Sequence, residues 1–174
     1  ERIAATEAVR TGERGAPVLM LTDVAVDDAR GVRRLRGATL QVHAGEIVGV
    51  AGVDGSGTRE LVRVLAGRLA PTVGTVRLPA AIGFVPEDRH RDALMLDASL
   101  TENFALATAG AATGRLSWAT LTQHTAAVIE AFDVRGAAPH VPAAALSGGN
   151  QQKFVVGRAV TTAPAALVVE SPSR

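Results

Sequence analysis

Gly52-Val-Asp-Gly-Ser-Gly57 has the G-x-x-x-x-G spacing of a loop that wraps a phosphate group. Residues without a Cβ let successive backbone N–H groups point into one concavity, and a helix starting where the loop ends adds its positive amino end. Anion binding is the chemistry this predicts, and Gly52, Asp54, Gly55, Ser56, Gly57, Thr58 and Arg59 are its candidate nucleotide-binding residues. Two groups of the full motif are replaced. Thr58 stands where a lysine should reach the outer phosphates, and Arg59 stands where a serine or threonine should bind magnesium. A cation lost about 4 Å from the terminal phosphate forfeits about 4 kcal/mol at an effective dielectric near 20, or about a thousandfold in affinity. Arg59 returns a charge one position late, in the place of the metal, so the expected binding is weak and less metal-dependent. A glycine-rich turn without a ligand is the alternative on this loop alone.

A second glycine motif, Leu146-Ser-Gly-Gly-Asn-Gln-Gln-Lys153, opens a stretch of helical periodicity. Ser147 is placed to cap that helix, and Gly148 and Gly149 leave backbone N–H groups at its positive end, which is a second anion site by the same physics. Ala166-Leu-Val-Val-Glu170 is an apolar run ending in acid, followed by Ser171 and Pro172. Between the two glycine motifs lies a charged segment, Pro86-Glu-Asp-Arg-His-Arg-Asp92, which reads either as a contact loop or as a solvated loop of mixed charge. His43, His90, His124 and His140 have no ligand spacing and predict no metal site.

In their order along the chain, the four motifs resemble those of an ABC transporter ATP-binding protein, specifically the second nucleotide-binding domain of the fused sugar or nucleoside importer type. The resemblance runs from about Val18 to Arg174. It implies ATP and Mg2+ as cofactors, and a signature, Ser147, Gly148 and Gly149 with Gln151, that closes in trans over ATP held by the phosphate loop of a partner half. It also implies that Glu87 occupies the position of the usual water-positioning glutamine, that Glu170 takes the place of the acid that organises magnesium through water, and that Ser171 takes the place of the catalytic glutamate. A hydroxyl is a poor general base, so hydrolysis at this half's own site is expected to be crippled. All five aromatic residues, Phe84, Phe104, Trp118, Phe132 and Phe154, follow the phosphate loop, which leaves no aromatic platform for adenine upstream of it. Phe132-Asp-Val-Arg135, followed by prolines before the signature, resembles nucleoside importers more than ribose importers.

The elements that must position these residues are partly legible. Residues 1–17 read as a linker, and 18–174 as part of a nucleotide-binding domain. Val18–Val26 and Ala38–His43 alternate as half-buried antiparallel strands around a polar turn over Asp27–Gly37. The compact apolar run Glu46–Gly52 predicts a strand before the loop, and Glu60–Leu69 a helix after it. Gly74–Leu78 and Ile82–Val85 read as short strands, with a charged loop over Pro86–Asp97. Thr101 is placed to cap a helix, Ser117–Phe132 is helical, and a further helix runs from the signature through Arg158. Helices over about 105–158 form the expected inserted subdomain, and Ala166–Glu170 the buried strand of the second ATPase motif. The fold class expected is α/β: a P-loop NTPase core of ABC type with an antiparallel β subdomain and an inserted α-helical subdomain, ending after the strand of the second ATPase motif.

With 174 residues, 47% of them hydrophobic, the chain can bury one core. Lysine and arginine number 18 against 17 acids, so no global field steers nucleic acid or an anionic membrane. There is no cysteine, which excludes disulfides and thiolate metal sites and fits a reducing compartment. No apolar run approaches the roughly 18 residues of a membrane helix. The first residue is not methionine, and the chain reads as a piece of a longer protein. Three functional readings differ in what they ask of the motifs. In an asymmetric ATPase at the cytoplasmic face of the membrane, this half lends its signature to a first nucleotide-binding domain of the same polypeptide, with permease subunits and a substrate-binding protein as further partners and no nucleic acid. A structural adaptor would transmit motion without touching nucleotide. A self-sufficient NTPase is disfavoured by Thr58, Arg59 and Ser171 together.

Overall fold

The computed structural model describes residues 15–109 and 114–171. They divide into two compact units, one up to Ile82 and one from Gly83. The expected linker over 1–17 lies almost wholly outside the described residues.

The first unit is a three-stranded antiparallel sheet and one helix. Strands β1 (Pro17–Asp27) and β2 (Arg33–His43) form a hairpin, and β3 (Val73–Arg77) pairs with the other edge of β1, giving the order β2-β1-β3. The hairpin turn is shorter than its polar composition suggests, because Asp28 organises it. Its carboxylate accepts from the backbone N–H of Arg30 and Val32, both at 2.9 Å, and Gly31 takes the left-handed conformation that closes the turn. Arg33 pairs with Asp27, and Arg34 with Asp28 at 2.7 Å, so residues that read as turn continue the strand. In mid-strand β1 carries a bulge where Asp23 adopts φ +49° and donates its N–H to the Thr39 hydroxyl at 3.1 Å. Gly74 of β3 crosses this bulge so closely that a Cβ would lie 2.5 Å from the Thr22 and Asp23 carbonyl oxygens.

Helix α1 (Thr58–Leu65) buries Leu61, Val64 and Leu65 at helical spacing and packs against β2. It stops four residues before the periodicity does, at a left-handed Gly67. The strand expected over Glu46–Gly52 does not form. Neither described sheet offers this run a neighbour, and an apolar strand of buried type needs ladder partners and covered faces. It crosses instead as irregular chain, with Ile47 87% exposed.

The second unit is mainly helical. Strands β4 (Ile82–Val85) and β5 (Ala166–Val169) pair, and between them run α2 (Arg89–Asp92), α3 (Leu100–Thr108), α4 (Trp118–Ala131) and α5 (Gly148–Thr161). Of β5 only Val168 is buried and Leu167 is 45% exposed, so this strand is less covered than expected. Phe154, Leu100 and Val128 are fully buried in the core that α3, α4 and α5 share. Gly157 lets α4 and α5 approach: a Cβ there would sit 2.7 Å from the Phe132 ring and 2.9 Å from Val128.

The start of α3 differs from expectation. Ser99, not Thr101, is the cap: its hydroxyl accepts from the Glu102 N–H at 3.2 Å, and the Glu102 carboxylate takes the Ser99 N–H at 2.7 Å, a reciprocal capping box. Thr101 is already helical and buried, with its hydroxyl donating to the Pro139 carbonyl at 3.0 Å. The same hydrogen bonds hold Glu102 below the usual carboxylate range, that from the Ser99 hydroxyl first and that from the Ser99 N–H second. Ser117 caps α4 as its position suggests, accepting from the Thr120 N–H at 3.4 Å.

Candidate functional site

The phosphate loop lies in the first unit. Its glycines are each required by geometry. Gly55 and Gly57 have φ +80° and +90°, and a Cβ on Gly57 would come 2.5 Å from the Arg34 carbonyl oxygen. A Cβ on Gly52 would collide with the hydroxyls of Ser56 and Thr58. The loop is tied by Ser56 N–H donating to the Val53 carbonyl at 3.0 Å, and Gly57 is the N-cap of α1. The motif's spacing therefore corresponds to a formed loop leading straight into a helix, with Gly52, Asp54 and Gly55 exposed.

Where the motif's lysine would stand, the Thr58 hydroxyl is hydrogen-bonded to the Ser56 hydroxyl at 2.8 Å and turned toward Gly52. It is spent inside the loop. Arg59 is exposed on the first turn of α1. Beside the loop a cavity of about 700 Å³ is lined by Arg34, Arg36, Thr39, Val53, Asp54 and Ser56, and no aromatic ring lines it. A cradle in which Gly52 and Gly57 exclude a Cβ and Gly55 holds φ +80° fits a phosphate chain. The position after Thr58 presents an exposed guanidinium, where magnesium would take a hard oxygen ligand. Among the described residues no cluster of three acids or histidines forms a metal cage.

The remaining candidate residues lie in the second unit, and most of them converge. Glu170, at the end of β5, accepts the Glu87 N–H on a carboxylate oxygen at 3.1 Å, while its own N–H donates to the Val85 carbonyl at 2.9 Å. The acid of the second ATPase motif and the start of the charged loop are thus tied together. Asp88 accepts the N–H groups of His90 and Arg91, both at 3.1 Å, and caps the single turn of α2. That turn aims Arg89 and His90 at Gln151: the Gln151 carbonyl oxygen takes Arg89 Nε–H at 3.1 Å and lies 2.8 Å from His90 Nε2. The Gln151 amide donates to the Ala143 carbonyl at 3.0 Å, and the side chain is buried. Ser171 follows Glu170 with φ +45°, exposed and outside this network.

At the signature, Ser147 occupies the N-cap position of α5 without a side-chain cap, contrary to expectation. Its hydroxyl oxygen accepts instead from the Asn150 amide at 3.0 Å, and Asn150 also takes the Arg135 N–H at 3.1 Å. Ser147, Gly148 and Gly149 are exposed, and the Arg89 guanidinium lies 2.8 Å from where a Cβ on Gly148 would be. Sequence reasoning missed the arginine and histidine clamp on Gln151. They are 62 and 61 residues away from it, and nothing local signals a contact at that separation.

A formed phosphate loop at the amino end of one helix, and a Ser-Gly-Gly turn at the amino end of another, define a nucleotide-binding cassette with a signature motif. The ABC transporter family model matches residues 35–174, and the chain belongs to that family. It is 39% identical over 175 residues to the nucleoside import ATP-binding protein NupA of Lactococcus lactis, covering 90% of this chain and 35% of that one. It is 34% identical over 167 residues to the ribose import ATP-binding protein RbsA 1 of Burkholderia ambifaria, covering 87% and 32%. The chain thus spans about a third of the length of these relatives. Among solved structures, a dimer of the ATP-binding cassette MJ0796 bound to ADP and Pi superposes with a TM-score of 0.71 at 20% identity, over 90% of this chain and 75% of that one. The fold is that of ABC ATPases, which as a family use ATP with Mg2+. Among the described residues no helix is long and apolar enough to cross a membrane.

Proposed function

We propose that this chain is part of the ATP-binding component of an ABC importer for sugars or nucleosides, and that it is the catalytically impaired half of an asymmetric pair. Its own loop, Gly52 to Arg59, binds nucleotide weakly. Its signature, Ser147 to Gly149, completes the site in which a first nucleotide-binding domain of the same polypeptide hydrolyses ATP with Mg2+. Residues 18–174 then form part of one nucleotide-binding domain, with the helices over about 105–158 as its signature-bearing subdomain. The assembly works at the cytoplasmic face of the membrane on permease subunits fed by a substrate-binding protein.

One observation carries this reading. The loop keeps every glycine its geometry needs, while the Thr58 hydroxyl is bonded back to Ser56 in the place of a lysine. A cradle without its cation favours an anion by backbone dipoles alone, and Ser171 supplies no general base. The import relatives point to the same class of transporter, with nucleoside and ribose named in their descriptions.

The test is calorimetric titration of the chain with ATP, with and without Mg2+. Weak binding that is indifferent to the metal is expected. Tight, Mg2+-dependent binding would overturn the asymmetric reading, because it would mean that Arg59 and Glu170 rebuild a working site.

A further inference from the structure

Gln151 lies one turn into the signature helix, and its side chain faces inward. Both ends of its amide are occupied: the carbonyl oxygen by Arg89 at 3.1 Å and His90 at 2.8 Å, the amide nitrogen by the Ala143 carbonyl at 3.0 Å. Arg89 also lies against the backbone of Gly148, where a Cβ would meet its Nη2 at 2.8 Å. The pair that holds Gln151 is itself held, because Asp88 caps the turn from which both side chains project, and Glu87 just before it is bonded to Glu170. A hydrogen-bonded path therefore runs from the acid of the second ATPase motif, along the charged loop, to the first turn of α5. Every residue on it is placed by another.

We infer that Gln151 is a positioning residue and not a nucleotide ligand, and that Arg89, with His90, sets the placement of Ser147–Gly149 by clamping it. A buried amide whose oxygen takes two donors and whose nitrogen is turned to the Ala143 carbonyl is committed to the protein interior and not to a phosphate, whereas displacing it moves the amino end of the helix that carries the signature. The arginine matters as a fork. Its Nε binds Gln151 while Nη2 packs on Gly148, a two-point contact that a lysine cannot copy.

This inference rests on the reading that the signature completes a partner's ATP site. The test uses the full-length ATP-binding protein that contains this chain, assembled with its permease, and measures ATP turnover for the wild type, Gly148→Asp, Arg89→Gln, Arg89→Lys, Gln151→Leu and the double variant Arg89→Gln/Gln151→Leu. A clamp acting through position predicts that Arg89→Gln and Gln151→Leu each lower kcat by roughly ten- to a hundredfold, with the KM for ATP changed less than threefold. Arg89→Lys should not rescue, and the double variant should be no worse than the poorer single one, since both break one contact. Two outcomes are separable. If Gly148→Asp turns over like the wild type, the signature reading itself falls and the clamp falls with it. If Gly148→Asp is dead while both single variants keep wild-type kcat and KM, only the clamp is overturned. Additive losses in the double variant, or a loss confined to KM, would likewise overturn it by making Gln151 an independent ligand. Thermal midpoints within a few degrees of the wild type exclude a folding defect, and Asp88→Ala, which unseats both clamp residues without altering either, must reproduce the kcat loss if any of the other variants fails to fold.

Discussion

At Gly57 the backbone has φ +90°, and the Arg34 carbonyl oxygen lies 2.5 Å from where a Cβ would be. Any L side chain there meets both a strained conformation and a backbone atom that cannot swing aside. Gly57→Ala is expected to cost about 3 kcal/mol, read as a lower urea midpoint with an unchanged slope. Position 58 tests charge instead of shape. Thr58→Lys places an ammonium at the head of the cradle and loses one hydroxyl pair with Ser56. ATP binding to the chain, measured by calorimetry, is expected to tighten by at least tenfold, well under the full Coulombic limit of about 4 kcal/mol because the approaching side chain must also shed water. Turnover should not follow, since Ser171 still supplies no base. Appearance of hydrolysis in Thr58→Lys alone would show that the cation, not the base, is what this half lacks.

At the scale of elements, ends and contacts decide more than interiors. Helix α3 begins at a reciprocal box between Ser99 and Glu102, so Ser99→Ala should lower stability by about 1 kcal/mol in denaturant titrations. Between α4 and α5, Asp133 sits at the helix end with φ +48° and gathers Arg135 and Lys153, each at 3.1 Å from one carboxylate oxygen. Arg135 first, then Lys153, hold its carboxyl below the usual carboxylate range. A carboxyl with a lowered folded-state pKa contributes its stability above its unfolded value, and that contribution fades as pH falls through the folded one. Asp133→Asn should therefore leave a shallower loss of stability on acidification below about pH 4, seen by comparing urea midpoints of both proteins across that range. An identical acid limb in the two proteins would remove Asp133 from the account. These element ends also mark what the sequence shows and what it hides. The hairpin strands, β4 and α4 were legible because alternation and period are local properties, and Ser117 caps α4 as its position announces. The Ser-x-x-Glu box at Ser99 is itself a local signal, but Thr101 two residues on offers the same kind of hydroxyl and competes with it in the sequence. Glu46–Gly52 misled for a different reason: a strand is defined by its neighbours, and no described sheet gives it one.

For the whole molecule, the two glycine motifs were readable from spacing alone, since each is a loop feeding a helix within a few residues. What surrounds them was not. The contacts of Gln151 with Arg89 and His90, and of Glu170 with Glu87, join segments 61 to 83 residues apart, and such pairings follow from the fold. The division of labour proposed for the two motifs makes an unequal prediction for the full-length protein in its transporter. Gly148 is exposed at the amino end of α5, with the Arg89 guanidinium packed on one side, so Gly148→Asp inserts a carboxylate where an incoming phosphate would need backbone N–H groups. Transport-linked ATP turnover should fall below a hundredth of the wild type, since like charges at a few ångströms repel by several kcal/mol even at an effective dielectric near 20. The attraction of that carboxylate for Arg89 would hold it in place instead of relieving the repulsion. Thr58→Lys in the same protein should leave turnover within about twofold if, as proposed, the phosphate loop it repairs is not the one whose ATP is hydrolysed. If both variants turn over like the wild type, the chain transmits motion without contacting nucleotide, and substitutions across Glu87–Asp92 should then uncouple transport from hydrolysis. If Thr58→Lys instead raises turnover severalfold, this half hydrolyses ATP on its own account and the asymmetry is only one of rate.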